Sequence, residues 1–155
     1  SPAVTLRKQY VRRAPSERAH VVLVDTSVWL SKNSVEALLD LATKEVLAIC
    51  PPVVQELLQG AHDEARMKRM RTIVSNSEML DSPMPLARFE FAGDIYRIAR
   101  EKSFTIRSSN DCLIAAIAMH HDVLLLHGDH DFDYIAQLFP LRARNVIPSA
   151  SAARS

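Results

Sequence analysis

Apolar residues in this chain occur either as short unbroken runs or as longer stretches spaced three and four apart. Val21-Val-Leu-Val24 and Val123-Leu-Leu-Leu126 are unbroken runs, each closed by a polar residue, Asp25 or His127. Such runs suit strands covered on both faces, as in a parallel sheet packed between helices. Val46 to Cys50 reads as another short strand, and Glu78–Leu80 as a brief further one. Helical spacing falls between them. Val35 to Thr43 carries Val35, Leu38, Leu39 and Ala42, and Pro51-Pro52 opens a helix that Gly60 is placed to end. Residues 64–75 form a basic amphipathic pattern through Met67, Met70, Ile73 and Val74. Lys68 and Arg71 lie on its solvated side. Pro85 to Lys102 is a long helical stretch with Leu86, Phe89, Ile95 and Ile98. Ser109 to His120 is so apolar that it belongs deep in the fold, and Asp131 to Leu138 makes a closing helix. Strands alternating with helices predict an α/β fold, a mostly parallel central sheet flanked by helices in three layers. In such sheets ligands gather beyond the carboxyl ends of the strands.

Composition narrows the class. At 155 residues, 48% hydrophobic and 24% charged, the chain has ordinary globular content, which excludes disordered and low-complexity classes. No apolar run approaches the ~20 residues of a membrane-spanning helix, and the N-terminus lacks a signal peptide's apolar stretch. Cys50 and Cys112 lack metal spacing and read as core residues of a reducing, cytoplasmic compartment. The net charge of +1 conceals an asymmetry: residues 1–20 carry Arg7, Lys8, Arg12, Arg13 and Arg18 against Glu17 alone. The expected organisation is a basic leader over 1–20, a folded domain over 21–148 and a flexible tail over 149–155. With three glycines in all, the chain has neither a Gly-x-Ser-x-Gly elbow nor a Gly-rich phosphate loop.

Carboxylates carry the chemistry. Asp25 ends the first strand, Asp129 and Asp131 follow the late strand, Glu56 sits early in the helix after the second strand, and Asp111 lies in the first turn of the buried helix. Singly, each has an ordinary explanation. Asp25 and Asp131 suit helix caps, Asp111 in Ser108-Ser-Asn-Asp111 resembles a capping box, and Glu56 suits a solvated helix face. Together, five acids at one rim repel and raise one another's pKa values unless a cation compensates. Hard divalent cations take oxygen ligands, and such ions serve phosphodiester hydrolysis. His120, His121, His127 and His130 lack the spacing of a zinc site, although His130 is placed to touch a substrate phosphate.

The segments Leu23-Val-Asp25-Thr-Ser-Val-Trp29, Pro51-Pro-Val-Val-Gln-Glu56-Leu, Ser108-Ser-Asn-Asp111-Cys-Leu-Ile-Ala-Ala and His127-Gly-Asp129-His-Asp131-Phe resemble the four acidic motifs of PIN-domain ribonucleases, in the family's order. The likeness is greatest to VapC toxins of bacterial toxin–antitoxin pairs, and it runs from about Val21 to Val146. It implies a PIN-like fold and a Mg²⁺- or Mn²⁺-dependent endoribonuclease that leaves 5′-phosphate and 3′-hydroxyl ends. Asp25, Glu56, Asp111 and Asp129 would form the metal-binding catalytic quartet, with Asp131 an additional acid and Ser27 a hydroxyl that helps hold the site. Asn110 is left a capping or local-bonding role. The resemblance further implies an RNA substrate, an antitoxin protein partner and a homodimer, for which Val35, Leu38, Leu39 and Leu57 offer apolar surface. Members usually begin almost directly with the first strand and carry a longer charged loop after the position of Trp29, whereas here Ser31-Lys-Asn-Ser34 is short. A PIN-fold RNA-processing nuclease that is not a toxin, or a non-catalytic interaction module, are the alternative readings. The module would have lost an acid, and none is lost here.

Overall fold

The structure, a computed structural model, describes residues 20–147. The expected tail, and the expected leader apart from His20, lie outside them. Among the described residues the chain runs β1 (Val21–Val24), α1 (Thr26–Trp29), a 3₁₀ turn (Lys32–Ser34), α2 (Val35–Ala42), β2 (Val46–Ile49), α3 (Pro51–Gln59) and α4 (Glu64–Asn76). It continues through β3 (Glu78–Met79), α5 (Leu86–Glu101), α6 (Ser109–His121), β4 (Leu124–His127), α7 (His130–Leu138) and β5 (Ala143–Asn145). The five strands form one sheet in the order β3-β2-β1-β4-β5, and every pairing is parallel.

The unbroken apolar runs are explained by what covers the sheet. All four residues of β1 are buried, and alternate side chains leave opposite faces. On one face Leu23 and Leu125 pack with Phe91, Ile95, Ile98, Ile114, Ile117, Phe132 and Ile135 from α5, α6 and α7. On the other, Val22, Val24 and Leu126 meet Val28 and Leu38 from α1 and α2. At about 1.5–3 kcal/mol for each fully buried large apolar side chain, the first face supplies most of the core's stabilisation. Its alanines, Ala115, Ala116 and Ala118, are buried along α6, so that helix is apolar nearly all round, in keeping with its sequence.

Three features differ from the sequence reading. The strand β5 is not foreseen there, because Ala143–Asn145 is a short, largely exposed edge segment with no apolar run. Leu38 and Leu57, expected at a dimer surface, are core residues at 8% and 0% exposure, whereas Leu39 is exposed. The exposed apolar stripe lies instead on α5, where Leu86, Phe89 and Tyr96 face solvent. Finally, Asp81, Arg88 and His121 make a polar triad whose Asp81 and Arg88 side chains are nearly buried and whose His121 is partly so: Arg88 Nε donates to Asp81 Oδ2 at 2.6 Å, and His121 Nε2 lies 2.7 Å from Asp81 Oδ1.

Candidate active site

The chain order β1-β2-β3 builds one half of the sheet and β4-β5 the other, so β1 and β4 flank the switch point where ligands sit in open parallel sheets. Asp25 follows β1, and its backbone N–H continues the ladder to the Leu126 carbonyl at 2.9 Å. Its Oδ2 accepts from the Ser27 N–H at 3.1 Å and from the Ser27 hydroxyl, so the carboxylate caps α1. The Ser27 oxygen in turn accepts from the Gly128 N–H at 3.0 Å. Ser27 thus fastens the end of β1 to the turn after β4, across 101 residues of sequence.

On the β4 side, Asp129 is the N-cap of α7 and accepts from the Asp131 N–H at 2.9 Å. Asp129, not Asp131, caps that helix. The buried Asp131 turns back and accepts from the Arg107 N–H at 2.8 Å. Asp111 in the first turn of α6 is 5% exposed, and no capping bond from the Ser108 side chain accounts for the segment. One carboxylate oxygen each from Asp111, Asp129 and Asp131 lie within 4.8 Å of one another. Asp111 Oδ2 and Glu56 Oε1 are buried with no hydrogen-bond partner. Glu56 is therefore not the solvated helix residue its ordinary explanation required.

The electrostatics follow from this crowding. Burial, then the charges of Asp129 and Asp25 and a hydrogen bond with Asp129, push the Asp111 pKa up to about 9. Burial raises Asp25 against the opposing hydrogen bonds from Ser27. Burial and the Asp25 charge raise Glu56, while a hydrogen bond with the Asn110 side chain holds it down. All five predicted acids are thus at one rim: Asp111, Asp129 and Asp131 as a trio, with Asp25 and Glu56 near enough to act on them. Buried acceptor oxygens without donors fit a hard cation, and the trio is able to hold a metal ion.

Other residues touch the site without being marked in the sequence as part of it. The Asn110 side chain, from α6, comes near enough to Glu56 on α3 to hold its pKa down. Arg107 Nη2 lies 3.5 Å from Asp129 Oδ1, and its Nε lies 3.8 Å from Asp131 Oδ1. His127 is wholly buried, its Nδ1 accepts from the Asp129 N–H at 3.2 Å, and burial lowers its pKa. A polar residue closing an apolar strand is the one sequence signal for His127. For Asn110 and Arg107 there is none beyond nearness to Asp111 in the chain. His130 is exposed, with Nδ1 3.4 Å from Asp133.

Fold and site together define a class. Residues 22–138 match the model of the PIN domain, and the chain belongs to that family. Within it the chain is a VapC-type ribonuclease. It is 36% identical over 131 residues to ribonuclease VapC11 of Mycobacterium tuberculosis and to VapC ribonuclease Mb1587 of Mycobacterium bovis, covering 79% of this chain and 97% of each relative. Solved toxin–antitoxin structures share the fold at lower identity. VapBC-5 from Mycobacterium tuberculosis aligns with a TM-score of 0.63 at 21% identity, over 82% of this chain and 99% of that one. VapBC-1 from nontypeable Haemophilus influenzae aligns with a TM-score of 0.65 at 17% identity, over 81% and 97%.

Proposed function

We propose that this VapC-type ribonuclease is a Mg²⁺- or Mn²⁺-dependent endoribonuclease acting in the cytoplasm as the toxin of a toxin–antitoxin pair. The observation that carries the metal-dependent mechanism is the trio Asp111, Asp129 and Asp131, within 4.8 Å and with a buried oxygen lacking any donor. In this reading the trio and Asp25 hold the metal. Bound there, the metal would lower the pKa of a water and offset charge on the attacking and leaving oxygens. Glu56, whose Oε1 is buried and unpartnered, orients the attacking water and takes its proton. The water oxygen bonds to phosphorus, the bond from phosphorus to O3′ breaks, O3′ takes a proton from solvent water, and Glu56 returns its proton to solvent. The products are 5′-phosphate and 3′-hydroxyl ends. Ser27 and Asn110 keep Asp25 and Glu56 in place.

Two partners belong to this reading. An antitoxin is supported by the fold-related structures, several of which are toxin–antitoxin complexes. A homodimer is supported by Leu86, Phe89 and Tyr96, which crowd one side of α5 at helical spacing and are exposed. The deciding experiment incubates the protein with total RNA and Mg²⁺ or Mn²⁺, with and without chelator. Cleavage into 5′-phosphorylated fragments that chelator abolishes is expected. RNA left intact with both metals would overturn the proposal.

A further inference from the structure

We propose that Arg107 is a substrate-binding residue whose guanidinium takes a phosphate of the RNA strand at the rim of the acid cluster. This inference rests on the nuclease reading and extends it to a residue outside the acidic motifs. The loop before α6 is tied to the cluster by its backbone, through the Arg107 N–H on Asp131 Oδ2 at 2.8 Å. That bond fixes where the side chain begins. The side chain itself is 75% exposed, and its distances to Asp129 and Asp131, at 3.5 and 3.8 Å, are longer than ordinary hydrogen bonds. Exposed ion pairs of this length hold a side chain weakly. Arg88 shows the opposite arrangement, with a 2.6 Å bond and a buried guanidinium.

Arg107 is therefore an anchored but loosely engaged cation beside the oxygens that would hold the metal. Asp111, Asp129 and Asp131 would hold a divalent cation, whose charge would repel the guanidinium and replace it electrostatically. The donor fork would then be free beside the place where the scissile strand must lie. Paired N–H groups match two phosphate oxygens, which a lysine ammonium does not reproduce. A purely structural Arg107 would instead hold Asp129 and Asp131 in place for the metal.

Wild type, Arg107→Ala and Arg107→Lys separate these roles, since each variant keeps the backbone N–H. Mn²⁺ affinity is measured by calorimetry without RNA, and cleavage of a single-stranded RNA is followed over a range of salt. The expected result is Mn²⁺ affinity equal to or above wild type in Arg107→Ala. Its KM should rise about tenfold or more, as expected when a charge-assisted hydrogen bond is removed. The slope of log KM against log salt should flatten by about 0.7, because one phosphate of the single strand is no longer neutralised. Arg107→Lys should fall between the two. Unchanged KM and salt slope, or weakened Mn²⁺ binding in Arg107→Ala, overturns the proposal while leaving the nuclease reading intact. A wild type that cleaves no RNA overturns both.

Discussion

At Asp111 a carboxyl group is buried with one oxygen unpartnered and with the charges of Asp129, Asp25 and Asp131 around it. Asp111→Asn keeps the shape and removes the ability to ionise. The metal-free variant should be as stable as the parent or more so, because an amide at this position spares folding the uptake of a proton that the buried, crowded carboxyl requires. Its melting temperature should rise less with saturating Mn²⁺. A ligand bound only to the native state stabilises by about 2.7 kcal/mol at a hundredfold excess over its dissociation constant, and that gain shrinks when a ligand oxygen is removed. RNA cleavage should fall at least about a hundredfold, at about 1.4 kcal/mol per decade. Thermal melts and single-turnover cleavage check all three. The raised pKa also sets a pH dependence. Between the ordinary carboxylate range and about 9 the folded protein holds a proton that the unfolded chain has released, so this group's contribution makes metal-free stability decline as pH rises through that window. A cation must displace the same proton. Mn²⁺ affinity should accordingly climb with pH below about 9, by up to about tenfold per unit, and flatten in Asp111→Asn. Calorimetry at about pH 6 and about pH 8 tests this directly.

Among the elements, α5 and α6 are joined at one end by apolar packing and by the triad of Asp81, Arg88 and His121. Arg88→Ala leaves the Asp81 carboxylate buried beside His121 without its guanidinium. Breaking a buried pair in this way costs about 3–5 kcal/mol, which a urea titration would register as a lower midpoint. His121 is ten residues beyond Asp111 on α6, about 15 Å along the axis, so the folded variant should keep wild-type Mn²⁺ affinity. The turn between β4 and α7 makes the converse case. A Cβ at Gly128 would collide with the Ile147 side chain, whose Cγ1 lies 2.7 Å from that position, and the Gly128 N–H holds Ser27. Gly128→Ala should therefore destabilise by about 1–3 kcal/mol and also lower cleavage, since the shift is passed to Ser27 and Asp25. Normal activity in a folded Gly128→Ala protein would show that this fastening is not needed.

For the molecule as a whole, the exposed stripe on α5 bears on association. Phe89 and Tyr96 are large apolar groups left in solvent although the sheet beneath α5 is fully covered. If they form the homodimer interface, light scattering should give the dimer mass at micromolar concentration, and Phe89→Asp with Tyr96→Asp should give the monomer mass with an unchanged melting profile per chain. A monomer in the unsubstituted protein rules the pairing out.

The alternation of buried runs and helical spacing was enough to determine an α/β fold with a parallel sheet, because a strand covered on both faces must be apolar throughout and a helix beside it need be apolar only on one side. The same pattern placed Asp25, Glu56, Asp111, Asp129 and Asp131 after strands or at helix starts, and hence at one rim. β5 was not legible, because an exposed edge strand is held by backbone hydrogen bonds to β4 that leave no mark on its side chains. Helical spacing likewise put Leu38 and Leu57 on a face shared with other apolar residues, but left open whether that face meets the core or a partner. The grouping of Asp111 with Asp129 and Asp131, the Ser27 fastening to Gly128, the reach of Asn110 to Glu56 and the position of Arg107 were decided only in three dimensions. Each depends on how closely β1, β4, α3 and α6 pack, since the partners come from different elements. Local propensity is short-ranged and carries no information about which distant segment will arrive.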